Sequence, residues 1–419
     1  MRIVVAPQEF KGTLTAVQAA GAIATAVHRV LASAQLDLAP ISDGGPGFVD
    51  ALLGAAQGEQ RQSLVQDPLG RPLTARWGTI AGGRTAVIEM AAASGLVLLS
   101  SSERDPRHTT TFGTGELIRA ALDAGCEQIL LGIGGSATND GGAGAAEALG
   151  IRFLDREGKP LPRGGAPLAR LDRIDVTGRD ARLDRVQLWV AADVTNPLLG
   201  PTGASSIYGP QKGASPKMVS ELDLALSRLA EVTRAQLGQD FANVPGAGAA
   251  GGLGFGLLSF CGAQIKSGFK LVCEALHLEE RIEKADVVLT GEGRLDRQSS
   301  YGKGPGALAA LAKRKGKRAV IFAGKVDASF SRSNSPFDEV LEVSTRQFGL
   351  DPEASSPREL LEAGVEHWAR KDWRRAAPPS EQHSVQTGHM KNSDPGTSRY
   401  SCREWATENR ELDIAPHNG

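Results

Sequence analysis

The stretch Gln128-Ile-Leu-Leu-Gly-Ile-Gly-Gly-Ser-Ala-Thr-Asn-Asp-Gly-Gly142 runs from an apolar strand pattern into a glycine-rich turn, and Ala143 to Leu149 follows as a short helical pattern. A strand, a glycine turn and a helix N-terminus in that order offer backbone N–H groups to an anion, because the first N–H groups of a helix have no partner inside it. The same order recurs along the chain. Ile3-Val-Val-Ala6 reads as a buried strand, and Thr15 to Leu31 as a helix with Thr15 and Gln18 at capping-box spacing. Leu36 to Ile41 reads as a second strand that ends in Ser42-Asp-Gly-Gly-Pro-Gly47, with a helical pattern from Phe48. Gln128 to Gly132, Gln187 to Ala192, Asp286 to Thr290 and Ala319 to Ala323 are further candidate strands, most of them separated by helical periodicity. Strands alternating with helices predict an α/β fold with largely parallel sheets. Residues 68–90 and 151–191 differ, with short alternating runs, Gly-Gly turns and prolines, and predict a second, more mixed α/β domain.

A chain of 419 residues has room for two domains, since single cores stop growing at roughly 250–300 residues. Forty-seven basic residues against 48 acidic ones leave no net field to draw in nucleic acid or an anionic membrane. A charged ligand must therefore be met locally. Cys126, Cys261, Cys273 and Cys402 show no spacing for zinc or a disulfide framework, which points to a reducing compartment. The opening residues carry no signal-peptide core, and no apolar run approaches the ~18 residues of a membrane span, so a cytoplasmic protein is expected. From about Ala376 the composition turns to Pro, Ser, Gln, His, Asn and Thr, too poor in apolar residues to offset the entropy of ordering. The expectation for 376–419 is a disordered tail in which His383, His389 and His417 are solvated.

In Gly132 to Gly142 the candidate residues for meeting an anion are Gly134, Gly135, Ser136, Thr138, Asn139 and Asp140. Gly132-x-Gly134-x-x-Ala137 also matches a dinucleotide fingerprint, so a nicotinamide-dependent oxidoreductase is weighed against phosphate chemistry. Against it, Ser136 to Asp140 inserts a polar loop where the dinucleotide turn requires the helix to begin almost at once. No Gly-x-x-x-x-Gly-Lys-Ser/Thr sequence occurs, which disfavours a P-loop. A second glycine cluster, Gly246 to Gly256, follows Pro245, with close helix packing and ligand binding both open.

Three acids stand just past apolar runs: Asp43, Asp193 and Glu292. The carboxyl ends of strands border the ligand crevice of α/β sheets. The segment Thr290-Gly-Glu-Gly-Arg-Leu-Asp-Arg297, read as a loop, combines Glu292 and Asp296 with Arg294 and Arg297. Phosphoryl transfer asks for that mixture, carboxylates for Mg²⁺ and cations to offset charge on the transferred group. Lys11, Lys212 and Lys303, each beside a glycine, are further candidate point charges.

Together these segments resemble the type I glycerate kinase family, from Met1 to about Lys371. The most specific are Gly132 to Gly142, Asp193 to Gly203 with Tyr208-Gly-Pro-Gln-Lys-Gly213, Gly246 to Gly256, and Thr290 to Gln298. The resemblance implies ATP-dependent, Mg²⁺-assisted phosphorylation of D-glycerate, usually to 2-phosphoglycerate. It also implies two α/β domains, one flavodoxin-like with a largely parallel sheet (1–65 plus 270–371) and one inserted and mixed (66–269), with the active site in the cleft between them. In that scheme the Gly134 to Asp140 turn and Lys212 meet ATP, and Asp193 with Glu292 or Asp296 holds Mg²⁺. Arg294 or Lys11 meets the glycerate carboxylate, and Asp43 or Asp296 takes the hydroxyl proton. The chain departs from the family pattern at Gln8 and Glu9, where Asp-Ser is common, and at Pro46, where Asp-Gly-Gly-Glu-Gly-Thr is common. An inactive binding module on the kinase scaffold is the reading those departures leave open, and a homo-oligomer is also open.

Overall fold

The computed structural model describes residues 1–296, 304–332 and 335–376. Lys303 and Arg297 lie outside the described residues, as does the expected tail beyond Ala376 with its three histidines and Cys402. The chain divides into two compact units, Met1–Pro40 with the chain from Glu279 onward, and Ile41–Leu278.

The first unit opens with β1 (Arg2–Val5), α1 (Ala16–Val30) and β2 (Gln35–Leu38). The second holds α2 (Phe48–Ala56), β3 (Glu59–Gln66), β4 (Pro72–Ile80), β5 (Thr85–Glu89), α3 (Ala91–Ser94), α4 (Phe112–Asp123), β6 (Gln128–Gly132) and α5 (Ala143–Ala148). It continues with β7 (Arg152–Leu154), β8 (Arg173–Asp175), β9 (Gln187–Ala191), α6 (Ala204–Tyr208), α7 (Pro216–Leu237), α8 (Ala249–Cys261), β10 (Gln264–Lys266) and α9 (Gly268–Ala275). After α10 (Leu278–Glu283), the first unit resumes with β11 (Val287–Leu295), α11 (Gly304–Arg314), β12 (Arg318–Val326), β13 (Glu339–Glu342) and α12 (Pro357–Ala376). Where the sequence reading set the boundaries at 65/66 and 269/270, the structure sets them at 40/41 and 278/279. The shift follows from β3, which pairs along its whole length with β4 in the second sheet.

The first unit's sheet has the order β13-β12-β11-β1-β2, and every pairing in it is parallel. Passing over the inserted unit, this is the flavodoxin-like doubly wound order. Its three central strands carry continuous apolar runs, such as Ile3-Val-Val5 and Val287-Val-Leu289, as the covered middle of a parallel sheet requires. Thr15 caps α1 as expected, accepting from the Gln18 N–H at 3.1 Å while Gln18 Oε1 accepts from the Thr15 N–H at 3.0 Å. α12 turns Leu361, Val365, Trp368 and Ala369 into the same core as α1, and Trp368 meets Phe322 edge-on with ring centroids 6.3 Å apart. Outside that core, Arg29 Nη1 of α1 donates to Glu362 at 2.7 Å and Glu366 at 3.1 Å on α12.

The second unit's main sheet has the order β10-β9-β6-β5-β4-β3, parallel from β10 to β5 and antiparallel beyond. With the separate antiparallel pair β7–β8 it makes the mixed unit that the short runs of 68–90 and 151–191 foretold. Glycines Gly251 to Gly256 are buried, and α8 carries them against the back of the Gly132–Gly142 turn. The second glycine cluster is thus a packing seam. Its first turn is unwound, with Ala250, Gly251 and Gly252 all at positive φ, and Gly251 O accepts from the Gly141 N–H at 3.0 Å. A Cβ on Gly251 would lie 1.9 Å from Thr138 O at a φ of +68°. Among the described residues no helix is long and apolar enough to cross a membrane.

Gly251→Ala is expected to lower unfolding free energy by roughly 3 kcal/mol or more, combining left-handed strain with a backbone clash. Urea denaturation measures this, and a loss within error of zero would refute the seam's role.

Candidate active site

Pairing register sets four strand ends of the second unit in one row. Glu89 lies opposite Gly132, Gly132 opposite Ala191, and Ala191 opposite Lys266. The chain leaving each end therefore emerges on the same edge of the sheet, where α/β proteins bind ligands.

Two of these chains are held together by the Ser42–Gly47 loop. Gly134 N–H donates to Gly44 O at 3.1 Å, and a Cβ on Gly134 would come within 2.7 Å of Gly45 Cα. Asp43 Oδ1 accepts from the Gly45 N–H at 3.2 Å, which curls the loop at its acid. Asp193, just past β9, accepts from the Gly268 N–H at 3.0 Å, and a Cβ on Gly268 would lie 2.1 Å from Asp43 O. Asp43 and Asp193 thus flank the first residue of α9.

The glycine turn has an outer and an inner half. Gly134 is half-buried and Gly135 exposed, Ser136 is 8% exposed, and Thr138, Asn139 and Asp140 are wholly buried. Asp140 accepts from the N–H groups of Thr111 (2.8 Å), Gly142 (3.1 Å) and Gly144 (3.2 Å) and from the hydroxyls of Thr110 and Thr111. Burial pushes its carboxyl above the usual range, against the pull of those donors. Lys212, 1% exposed, donates from Nζ to Thr138 O at 2.6 Å. Burial lowers its pKa to about 7, opposed by the charge of Asp140. Asn139 Nδ2 donates to Ser205 Oγ at 2.9 Å, while Asn139 Oδ1 and Thr138 Oγ1 have no partner among the described residues. Of the residues assigned to the nucleotide from sequence, Gly134, Gly135 and Ser136 therefore line the outer half, while Thr138, Asn139, Asp140 and Lys212 support it from within. The helix after the turn begins only at Ala143, as the polar insert implied.

In the first unit the remaining residues gather at the β1/β11 junction, where the strand order reverses. Gln8 N–H donates to Gly291 O and Thr290 Oγ1 to Ala6 O, both at 2.8 Å. The segment expected to be a loop is strand as far as Leu295, because its ladder with β12 runs on to Leu295 opposite Val326. Alternation along β11 puts Glu292 and Arg294 on one face. On the other, Gly293 lets the chain of Lys11 pass so near that a Cβ would lie 3.1 Å from Lys11 N. Lys11 is exposed and Asp296 half-buried. Arg294, exposed, pairs with Asp327, whose carboxyl is held far below its usual range by the Ser329 N–H first and by Arg294 next. Among the described residues no three His, Cys, Asp or Glu side chains stand ready as a metal cluster. Sequence reasoning missed Glu89, although it follows the apolar run Ala86-Val-Ile88 just as the chosen acids follow theirs.

Residues 3–371 match the model of the glycerate kinase family. The chain is 45% identical to the glycerate kinase of Halalkalibacterium halodurans, over 86% of this chain and 94% of the relative. It is 49% identical to the glycerate 2-kinase of Escherichia coli K12, over 78% and 86%. The crystal structure of a candidate glycerate kinase 2 from Salmonella typhimurium LT2 superposes with a TM-score of 0.80 at 43% identity, covering 89% of this chain and 97% of that one. These likenesses define an α/β enzyme of the kinase class, which implies ATP as phosphate donor. The chain belongs to the glycerate kinase family.

Lys212 yields a stability test. Its folded pKa of about 7 lies below its ordinary 10.5, so between those values the folded chain binds fewer protons than the unfolded one. Stability from this group is depressed below pH 7 and recovers as pH rises to 10.5, by up to ~1.4 kcal/mol per pH unit. Lys212→Met should remove that rise in denaturation curves taken from pH 7 to 10; parallel curves for variant and wild type would sink this assignment.

Proposed function

We propose that the chain transfers the γ-phosphoryl group of ATP to the 2-hydroxyl of D-glycerate, giving 2-phosphoglycerate and ADP, with Mg²⁺. Family membership supports the substrate, and the naming of the Escherichia coli relative as a glycerate 2-kinase supports the position. The observation that carries the reading is the outer half of the glycine turn, held open at the carboxyl ends of parallel strands with Asp43 and Asp193 beside it.

Gly134, Gly135 and Ser136 would face the ATP phosphates, with Thr138, Asn139, Asp140 and Lys212 keeping the turn in shape. Mg²⁺ commonly takes one or two carboxylates and completes its shell with phosphate and water, so a set of separate acids fits it without a prebuilt cage. Asp193, Glu292 and Asp296 are the acids for that role. Lys11 and Arg294 are the cations for the glycerate carboxylate, Arg294 being steadied by Asp327. The glycerate oxygen bonds to the γ-phosphorus as the bond to the ADP oxygen breaks, and Asp43 or Asp296 takes the hydroxyl proton. The transition state is loose, so placement and charge neutralisation outweigh base strength. The cytoplasm is the compartment we assign to it.

Purified protein given ATP, Mg²⁺ and D-glycerate should yield a phosphorus signal split by one proton, since a 2-phosphate is bonded to a CH. Splitting by two protons would reveal the 3-phosphate, and no product would reject the kinase reading. Asp296→Asn should lower kcat by roughly 10²–10⁴-fold with an unchanged Tm; near-normal turnover removes Asp296 from the chemistry.

A further inference from the structure

Glu89 ends β5 directly opposite Gly132, the residue at which β6 enters the glycine turn. Its Oε1 accepts from the Val49 N–H at 2.8 Å, and the Gly47 N–H also acts on its carboxylate, favouring the charged form. Those two N–H groups belong to the far end of the Ser42–Gly47 loop and the first turn of α2. The near end of that loop is held by the turn itself, through Gly134 N–H to Gly44 O. The Gly47 cap has no side chain to satisfy the start of α2, so a carboxylate from a neighbouring strand takes that place.

We propose that Glu89 is a positioning residue: by holding the N–H groups of Gly47 and Val49 it sets the Ser42–Gly47 loop, and with it Asp43, against the glycine turn. This rests on the kinase reading for what the loop positions, but not for the tether itself. A protonated carboxyl accepts less strongly than a carboxylate, so the tether tightens as Glu89 ionises. Burial, the largest influence, raises the Glu89 pKa to about 7, opposed by the Val49 N–H; the charged groups facing it are Asp50 of α2, which raises it, and Arg76 of β4, which lowers it. Arg76 and Asp50 pair with each other at 2.7 Å, and among the described residues no ion pair to Glu89 is formed. Ionisation therefore falls in the physiological range. Stability and tether run in opposite directions. A folded pKa above the ordinary 4.5 means that the group's contribution to stability is present at low pH and lost as pH rises to about 7, the interval in which the loop is being drawn tight.

Glu89→Gln keeps the shape but cannot ionise, and its amide NH₂ sets donor against donor. In wild type, kcat/KM should rise through pH 7, and this limb should vanish in the variant, which at pH 8 is slower by about tenfold. Meanwhile the stability difference, wild type minus variant, should shrink from pH 5 to pH 8 as the activity difference grows. Both differences falling together would show a plain structural cap and overturn the proposal. Amide exchange of Gly47 and Val49 in wild type, corrected for intrinsic rate, should slow by about tenfold from pH 6 to pH 8. If glycerate is not phosphorylated but this protection follows pH, the kinase reading fails and the tether stands; if protection ignores both pH and the substitution, the tether fails whatever the enzyme phosphorylates.

Discussion

A single buried carboxylate organises the inserted unit. Asp140 lies beneath the glycine turn with no exposure, and its donors come from two chain segments, Thr110 to Thr111 before α4 and Gly142 to Gly144 at the start of α5. Thr111 extends the knot, since its hydroxyl also accepts from the Ala145 N–H at 2.9 Å. A carboxylate taken out of water survives only where its lone pairs are met, and here the unpaired N–H groups of two helix starts meet them. Lys212 Nζ donates to Thr138 O of the same backbone. The outer glycines can stay bare and open because everything stiff about the turn lies beneath it.

The first unit reaches its end by other means. Its junction of β1 and β11 is fixed by backbone pairing and by glycines that let Phe10 and Lys11 run close across β11, with few buried polar groups. Its charges, Lys11, Arg294 and Asp327, stay near water, where an ion pair contributes little to stability and much to orientation. One unit thus offers a rigid backbone surface and the other a set of charged side chains.

Much of this was legible in the sequence. Gln128–Gly132 was read to the residue, and Thr15 with Gln18 forms the expected capping box, because apolar runs and caps are local signals. The flavodoxin-like and mixed units follow the predicted classes. What was not legible depends on partners distant in the chain. Thr290 to Leu295 reads as a loop because glycines and charges carry no strand signal, and only the β12 ladder makes it strand. The polar types of Thr138, Asn139, Asp140 and Lys212 suggest ligand contact. Nothing in their own order reveals that Thr110, Thr111 and Ser205 face them from inside. Glu89 is illegible for the same reason, its partner being the Val49 N–H of α2, forty residues earlier.

The first unit's sheet is assembled from the two ends of the described chain, β1 and β2 from the start and β11 to β13 from beyond Leu278. During synthesis this has an order built in. When β1, α1 and β2 leave the ribosome, the central neighbour of β1 does not yet exist, and α1 lacks the face of α12 that closes its core. The whole inserted unit, with its own core, is made before those neighbours arrive and can fold while the opening strands wait. The long-range parallel pairing of β1 with β11 then closes last, the kind of contact whose loop-closure entropy makes folding slow. A chain terminated after residue 278 would carry the insert attached to an opening segment whose β1 lacks its β11 neighbour, an unpaired strand edge of the kind that templates aggregation.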